Sequence, residues 1–177
     1  MNKQRMVNIR LLLLDVDGVM TDGGIIYDNN GVETKRFHVR DGHGLKLLQR
    51  AGIEVGIITG RESAIVEKRA AELGITRVFQ GAKNKLEPYE QILEQSGYAD
   101  HQVAYVGDDL VDLPILRRVG FAIAVADAVA ELRPWVDYIT STPGGSGAVR
   151  EVCDLILKQS GKWTQVTARY FDEQDFS

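Results

Sequence analysis

The 177-residue chain has a single cysteine, Cys153. One thiol cannot close an internal disulfide, which fits a reducing compartment. Cys153 stands in an apolar helical pattern, so a buried structural thiol is expected. Long apolar runs are missing too. Leu11–Leu14 ends at once in Asp15 and Asp17, and residues 1–10 are polar and basic. A membrane span needs about 20 apolar residues and a secretory segment about 7–15. These absences predict a cytoplasmic protein with no membrane partner. A basic excess is also lacking: the formal net charge is −4, which argues against a nucleic-acid partner. No internal repeat and no low-complexity tract interrupts the chain.

What is present describes an ordinary globule, with 44% hydrophobic and 26% charged residues. The length suits one domain with a full core. We place that domain at residues 1–162 and a tail at residues 163–177. Residues 9–14 form a continuous apolar run of strand length, as in a strand buried on both faces. Gly18 then permits a tight turn. Residues 25–27 and 32–38 flank Asn29-Asn30-Gly31, which predicts a β-hairpin over about 24–38. Asp41 is expected to N-cap a helix over about 42–50. Strands at 53–58, 77–79, 103–106, 122–125 and 138–139 then alternate with helices at 62–73, 87–96, 109–119 and 148–158. Repeated strand–helix units with short turns predict an α/β fold, a doubly wound parallel sheet with helices on both faces. The tail from Ser160 has weak periodicity, so contact with something else is expected to order it.

Ligands bind such sheets at the carboxyl ends of the strands, so the residues there carry the functional reading. After the first strand come Asp15 and Asp17, and after the second Thr59, Gly60 and Arg61. After residues 77–79 come Gly81, Lys83 and Lys85. After residues 103–106 come Gly107, Asp108, Asp109 and, a turn later, Asp112. Carboxylates packed this closely repel unless a cation shares them, and hard oxygen ligands with room for water and phosphate suit Mg²⁺. Asp15 can attack phosphorus to give an acyl phosphate. Asp17 can protonate the leaving alcohol and later take a proton from water. Thr59, the Gly60 amide and Lys85 can hold the oxygens of the transferring phosphoryl group. Asp109, Asp22 and Asp28 read as turn or helix caps, and Lys83 as a solvated neighbour of Lys85. Asp112 is open between a residue that supports the metal site and an exposed helix residue.

Asp15-Val16-Asp17-Gly18-Val19-Met20-Thr21-Asp22, Ile58-Thr59-Gly60-Arg61, Lys85 and Gly107-Asp108-Asp109-Leu110-Val111-Asp112 resemble the four motifs of the haloacid dehalogenase superfamily of phosphatases. From about Ile9 to Lys162 the chain resembles the capless branch that acts on the sugar acid 3-deoxy-D-manno-octulosonate 8-phosphate, a lipopolysaccharide precursor. The similarity extends to His38-Val39-Arg40-Asp41-Gly42 and to Gly144-Gly145-Ser146-Gly147-Ala148-Val149-Arg150-Glu151. It implies Asp15 as nucleophile and Asp17 as general acid and base. It implies Mg²⁺ held by the Asp15 and Asp108 carboxylates and the Asp17 main-chain carbonyl. For the substrate it implies Asp17, His38, Val39, Arg40, Asp41, Gly42, Lys46, Gly60, Arg61, Arg69 and Lys85. Arg61 and Arg69, placed on one helix, would lie about 80° apart around it.

Most members of the superfamily shield the site with an inserted cap domain. Here a hairpin, a helix and a strand fill the stretch from Asp15 to Thr59, and one helix and a short strand fill that from Thr59 to Lys85. Neither holds a cap. Excluding water still benefits the chemistry, so a neighbouring subunit is expected to supply the shield. The resemblance likewise implies homotetramers joined through the hairpins. Tyr170, Phe171 and Phe176 are expected to pack on a partner as a lid. Two other readings stand beside this one. A nonulosonate 9-phosphate phosphatase should carry Glu in place of Arg61 and Lys in place of Glu72. A phospho-receiver or other non-turnover module should carry its phosphorylated Asp on the third strand.

Overall fold

The computed structural model describes residues 6–171. Its centre is a six-stranded parallel sheet built from β1 (Leu11–Leu14), β4 (Glu54–Ile58), β5 (Arg77–Phe79), β6 (Val103–Gly107), β7 (Phe121–Ala124) and β8 (Tyr138–Ile139). The spatial order is β5-β4-β1-β6-β7-β8. β1 is central because all four of its leucines are fully buried, so both of its edges and both of its faces must be covered. It pairs with β4 on one side and β6 on the other.

Alternation along β1 divides the core into two layers. Leu12 and Leu14 join a cluster with Leu45, Leu48, Val66, Ala70, Cys153 and Ile156. These come from helices α1 (Val39–Arg50), α2 (Ala64–Leu73) and α5 (Ala148–Gln159). Leu11 and Leu13 point the other way, to Tyr89 and Ile92 of α3 (Leu86–Ser96) and Ile115 and Leu116 of α4 (Leu113–Leu116). The doubly wound sheet expected from the alternation is therefore present, and Cys153 is the buried structural thiol expected of it.

A two-stranded antiparallel hairpin, β2 (Ile26–Tyr27) with β3 (Glu33–Thr34), leaves the body between β1 and α1. Asp28 closes its turn by accepting from the Asn30 and Val32 amides. Asp22 likewise accepts from Gly24 N–H.

Four expectations change. Helix α1 begins at Val39, so Asp41 is not its N-cap. It lies buried in the first turn and accepts from the Arg150 amide at 2.7 Å, tying α1 to the start of α5. Helix α2 begins at Ala64 with Ser63 at the cap position. Arg61 therefore lies in the preceding loop, and the angular relation to Arg69 does not apply. The helix expected over 109–119 is a one-turn 3-10 helix, Leu110–Asp112, followed by the short α4. Last, the tail is ordered by its own domain as far as Phe171. Helix α6 (Trp163–Thr167) buries Val166 in the core, and Lys162 Nζ donates to the Ala51 carbonyl. Phe176 lies outside the described residues. Among the described residues no helix is long and apolar enough to cross a membrane.

Candidate active site

β5, β4, β1 and β6 are consecutive in the sheet, and the register sets their carboxyl ends level. Leu14 pairs with Ile57 and with Val106. The residues just beyond these ends therefore converge on one cleft. Its volume is about 350 Å³, and Asp15, Asp17, Thr59, Gly60, Arg61, Lys83, Lys85 and Asp108 line it together with Asp109 and Val111. That size suits a small phosphorylated metabolite.

Asp15 is nearly buried. Its Oδ1 accepts from Val16 N–H at 2.7 Å, and its Oδ2 lies 2.8 Å from Lys85 Nζ. Lys85 also donates to Asp112 Oδ1 at 2.7 Å. An ammonium has three hydrogens, so one remains for a substrate oxygen. Asp112 is fully buried, which excludes the reading of it as an exposed helix residue. Besides Lys85 it accepts from Tyr105 Oη at 2.6 Å and from the Asp108 amide at 2.9 Å. It thereby fixes both the cation and the loop that presents Asp108. Asp109 caps the 3-10 turn by accepting from Leu110 N–H, and Lys83 is exposed.

Asp15, Asp108 and Asp112 each offer a carboxylate oxygen, all within 4.8 Å of one another. Burial pushes the Asp15 carboxyl up to about 6; Lys85 opposes that rise and Asp112 adds to it. Burial pushes Asp108 to about 7, with Asp112 and Asp15 adding to the shift. For Lys85 burial works against the charge, but the Asp112 and Asp15 carboxylates outweigh it and hold the ammonium above its usual range. More carboxylate is gathered here than one lysine neutralises, which is the donor set a hard divalent cation requires. Backbone shape agrees with that. Gly18 sits at φ +87°, and a Cβ there would lie 2.1 Å from Asp108 Oδ2. The first-strand loop thus closes down directly on the Asp108 carboxylate. The residues present fit Mg²⁺.

Asp17 stands at the cleft wall with cations on both sides. Lys35 Nζ is 2.5 Å from its Oδ1, and Arg61 Nε is 3.7 Å from its Oδ2. Both cations are tied to the hairpin. Glu33 accepts from Arg61 Nη2 at 2.9 Å and from Ser63 Oγ at 2.6 Å, and Tyr27 Oη accepts from Arg61 at 3.0 Å. Sequence reasoning missed Glu33, Lys35 and Ser63. Lys35 follows the end of β3 directly, and its Nζ lies 3.4 Å from Glu33 Oε1, a pairing visible once the hairpin folds back over the first-strand loop.

The other expected substrate residues do not reach this cleft. His38, Val39, Arg40, Asp41, Gly42 and Lys46 lie on the first two turns of α1 or just before it. Arg69, on α2, stacks over Phe37 and pairs with Glu72. A Cβ at Gly42 would lie 2.4 Å from Arg69 Nη2, so these two are packed together. Lys46 reaches toward Gly74 at the end of α2. His38 Nδ1, Asp41 Oδ2 and Arg69 Nε are buried without a hydrogen-bond partner. They form a second polar surface, apart from the cleft that holds Asp15.

Comparison with known proteins adds the family. Residues 39–120 match the haloacid dehalogenase-like hydrolases. The 3-deoxy-D-manno-octulosonate 8-phosphate phosphatase KdsC of Escherichia coli strain K12 is 55% identical over 155 residues, covering 88% of this chain and 82% of that protein. The crystal structure of the phosphatase of that name from Yersinia pestis superposes with a TM-score of 0.89 at 51% identity, over 90% of this chain and 86% of the other. The one from Moraxella catarrhalis, in complex with magnesium, phosphate and KDO, gives 0.92 at 45% identity, over 95% and 97%. With a shared fold and 55% identity over 155 aligned residues to a curated member, the chain belongs to the 3-deoxy-D-manno-octulosonate 8-phosphate phosphatase family of haloacid dehalogenase-like hydrolases.

Proposed function

We propose that this chain hydrolyses 3-deoxy-D-manno-octulosonate 8-phosphate to the free sugar acid and phosphate, with Mg²⁺, in the making of lipopolysaccharide precursors. The observation that carries the reading is the convergence of Asp15, Asp17, Thr59, Lys85 and Asp108 on one cleft. Family membership supplies the substrate.

An Asp15 oxygen attacks phosphorus in line with the ester bond, which breaks with its electrons on the sugar oxygen. Asp17 gives that oxygen its proton. Asp17 then takes a proton from a water that attacks the aspartyl phosphate, releasing phosphate, freeing the Asp15 carboxylate and returning Asp17 to its protonated form. Thr59, the Gly60 amide and the third Lys85 hydrogen hold the equatorial oxygens, whose charge must be balanced in the transition state. The Asp15 and Asp108 carboxylates and the Asp17 main-chain carbonyl would hold Mg²⁺, which supplies charge neutralisation between nucleophile and phosphate when bound. Lys85 keeps Asp15 ionised, as attack requires.

The second polar surface, with Arg40, Lys46 and Arg69, acts in this reading on the substrate in a neighbouring copy's cleft. Support comes from the missing cap and from the hairpin, where Ile25, Ile26, Tyr27 and Val32 are all about half or more exposed. An apolar patch of that kind marks an interaction site. The assembly is a homotetramer joined through the hairpins. A cytoplasmic location goes with it, supported by a lone buried thiol.

The nine-carbon alternative is disfavoured by Arg61 in the cleft and by the Arg69–Glu72 ion pair. The receiver alternative is disfavoured by the nucleophile's place on central β1. Phosphate release from the octulosonate 8-phosphate and from nonulosonate 9-phosphates, with and without Mg²⁺, tests the assignment. Faster turnover of the nine-carbon acid would overturn it.

A further inference from the structure

We propose that Lys35, just past the hairpin's return strand, is the positioning residue that aims Asp17 at the leaving-group oxygen. The inference rests on Asp17 being the general acid.

Lys35 lies in the hairpin by sequence, yet its ammonium is inside the active-site wall. Its side chain is 2% exposed and its Nζ sits on Asp17 Oδ1. A lysine buried to that degree is uncommon unless its charge is paired. Here the pairing is with Asp17 and, at 3.4 Å, with Glu33 Oε1. Glu33 is itself fixed by Arg61 and Ser63. Lys35 is therefore anchored from behind by a carboxylate that the body of the domain holds in place.

The consequence for Asp17 is geometric. An ammonium donates and never accepts, so Oδ1 is committed as an acceptor. Oδ2 is 3.7 Å from Arg61 Nε, beyond a hydrogen bond. It is the oxygen left to carry the proton to the alkoxide. Among the described residues Lys35 makes the hydrogen bond that fixes the Asp17 side chain, and without it both oxygens can turn away. Up to departure of the alcohol, a misplaced acid slows the reaction where the leaving group needs a proton, and misplacement by about 1 Å costs on the order of 10²-fold.

The test compares substrates that differ in that need. The kcat/KM for a sugar or alkyl phosphate and for p-nitrophenyl phosphate is measured for wild type, Lys35→Met, Lys35→Arg and Asp17→Asn. This ratio covers steps through departure of the alcohol, so slow hydrolysis of the aspartyl phosphate does not enter. Lys35→Met should lose on the order of 10²-fold on the alkyl ester and at least tenfold less on the nitrophenyl ester, whose leaving group needs no acid. Lys35→Arg should recover part of the alkyl rate. Equal losses on both esters, with Asp17→Asn still selective, would overturn the role of Lys35. Absence of selectivity in Asp17→Asn itself would overturn the acid assignment instead.

Discussion

Gly18 and Asp108 are in such close contact that any side chain at position 18 would overlap the Asp108 carboxylate, with a Cβ 2.1 Å from Oδ2. The loop after β1 and the loop after β6 are thus packed as one unit, and the glycine is required twice, for this contact and for φ +87°. Gly18→Ala should cost about 1–2 kcal/mol through backbone strain alone. It should also weaken Mg²⁺ binding and reduce kcat/KM by at least tenfold, because Asp108 must move. Thermal denaturation and Mg²⁺ titration of the variant check both effects.

Asp112 never touches the substrate in this account, yet it organises those groups that do. Asp112→Ala leaves the buried Lys85 with Asp15 as its remaining carboxylate partner and frees the Tyr105 hydroxyl and the Asp108 amide. Breaking one partner of a buried charged network costs about 3–5 kcal/mol. The variant should be destabilised by about that amount, measured by urea denaturation, and should turn over far more slowly. Asp112→Asn, which retains an acceptor, should lie between it and wild type.

Metal and pH should be coupled. Folding raises the Asp15 and Asp108 carboxyls to about 6 and about 7, against about 4 in an unfolded chain. Between those values the metal-free fold binds more protons than the unfolded chain, so its stability falls as pH rises from about 4 to about 7. Mg²⁺ competes with those protons and replaces their stabilising charge. The increase in Tm on adding Mg²⁺ should therefore be larger at pH 8 than at pH 5. Melts in chelator and in excess Mg²⁺ at the two pH values provide the comparison.

The hairpin face should control assembly and turnover together. Replacing exposed Ile26 and Val32 with Glu should give monomers by light scattering while the fold, judged by circular dichroism, persists. If the second polar surface completes a neighbour's site, these monomers should keep p-nitrophenyl phosphate hydrolysis while KM for the sugar-acid phosphate rises at least tenfold.

Much of this was legible in the sequence because burial and chemistry follow simple periods. The all-leucine β1 announced a strand buried on both faces, and the residues after β1, β4, β5 and β6 announced the cleft. Lys35 and Glu33 were not legible as site residues. Their function depends on how far the hairpin folds back, and two-residue strands carry too little pattern to show that. Asp41 looked like a cap because acidic residues often precede helices. Instead the start of α5 competes for its carboxylate, a contact between residues 109 positions apart. The role of Asp112 was undecided for a related reason, since a 3-10 turn rather than an α-helix rotates it inward under Lys85.

Everything in the mechanism depends on Asp15 itself accepting the phosphoryl group. Rapid mixing with 3-deoxy-D-manno-octulosonate 8-phosphate and Mg²⁺, an acid quench within the first turnover, and peptide mass mapping examine it directly. Phosphate should appear on the peptide that carries Asp15, on that residue, and not in Asp15→Asn, which should remain folded and inactive. A full first turnover with no phosphorylated peptide, or substantial turnover by Asp15→Asn, would contradict it.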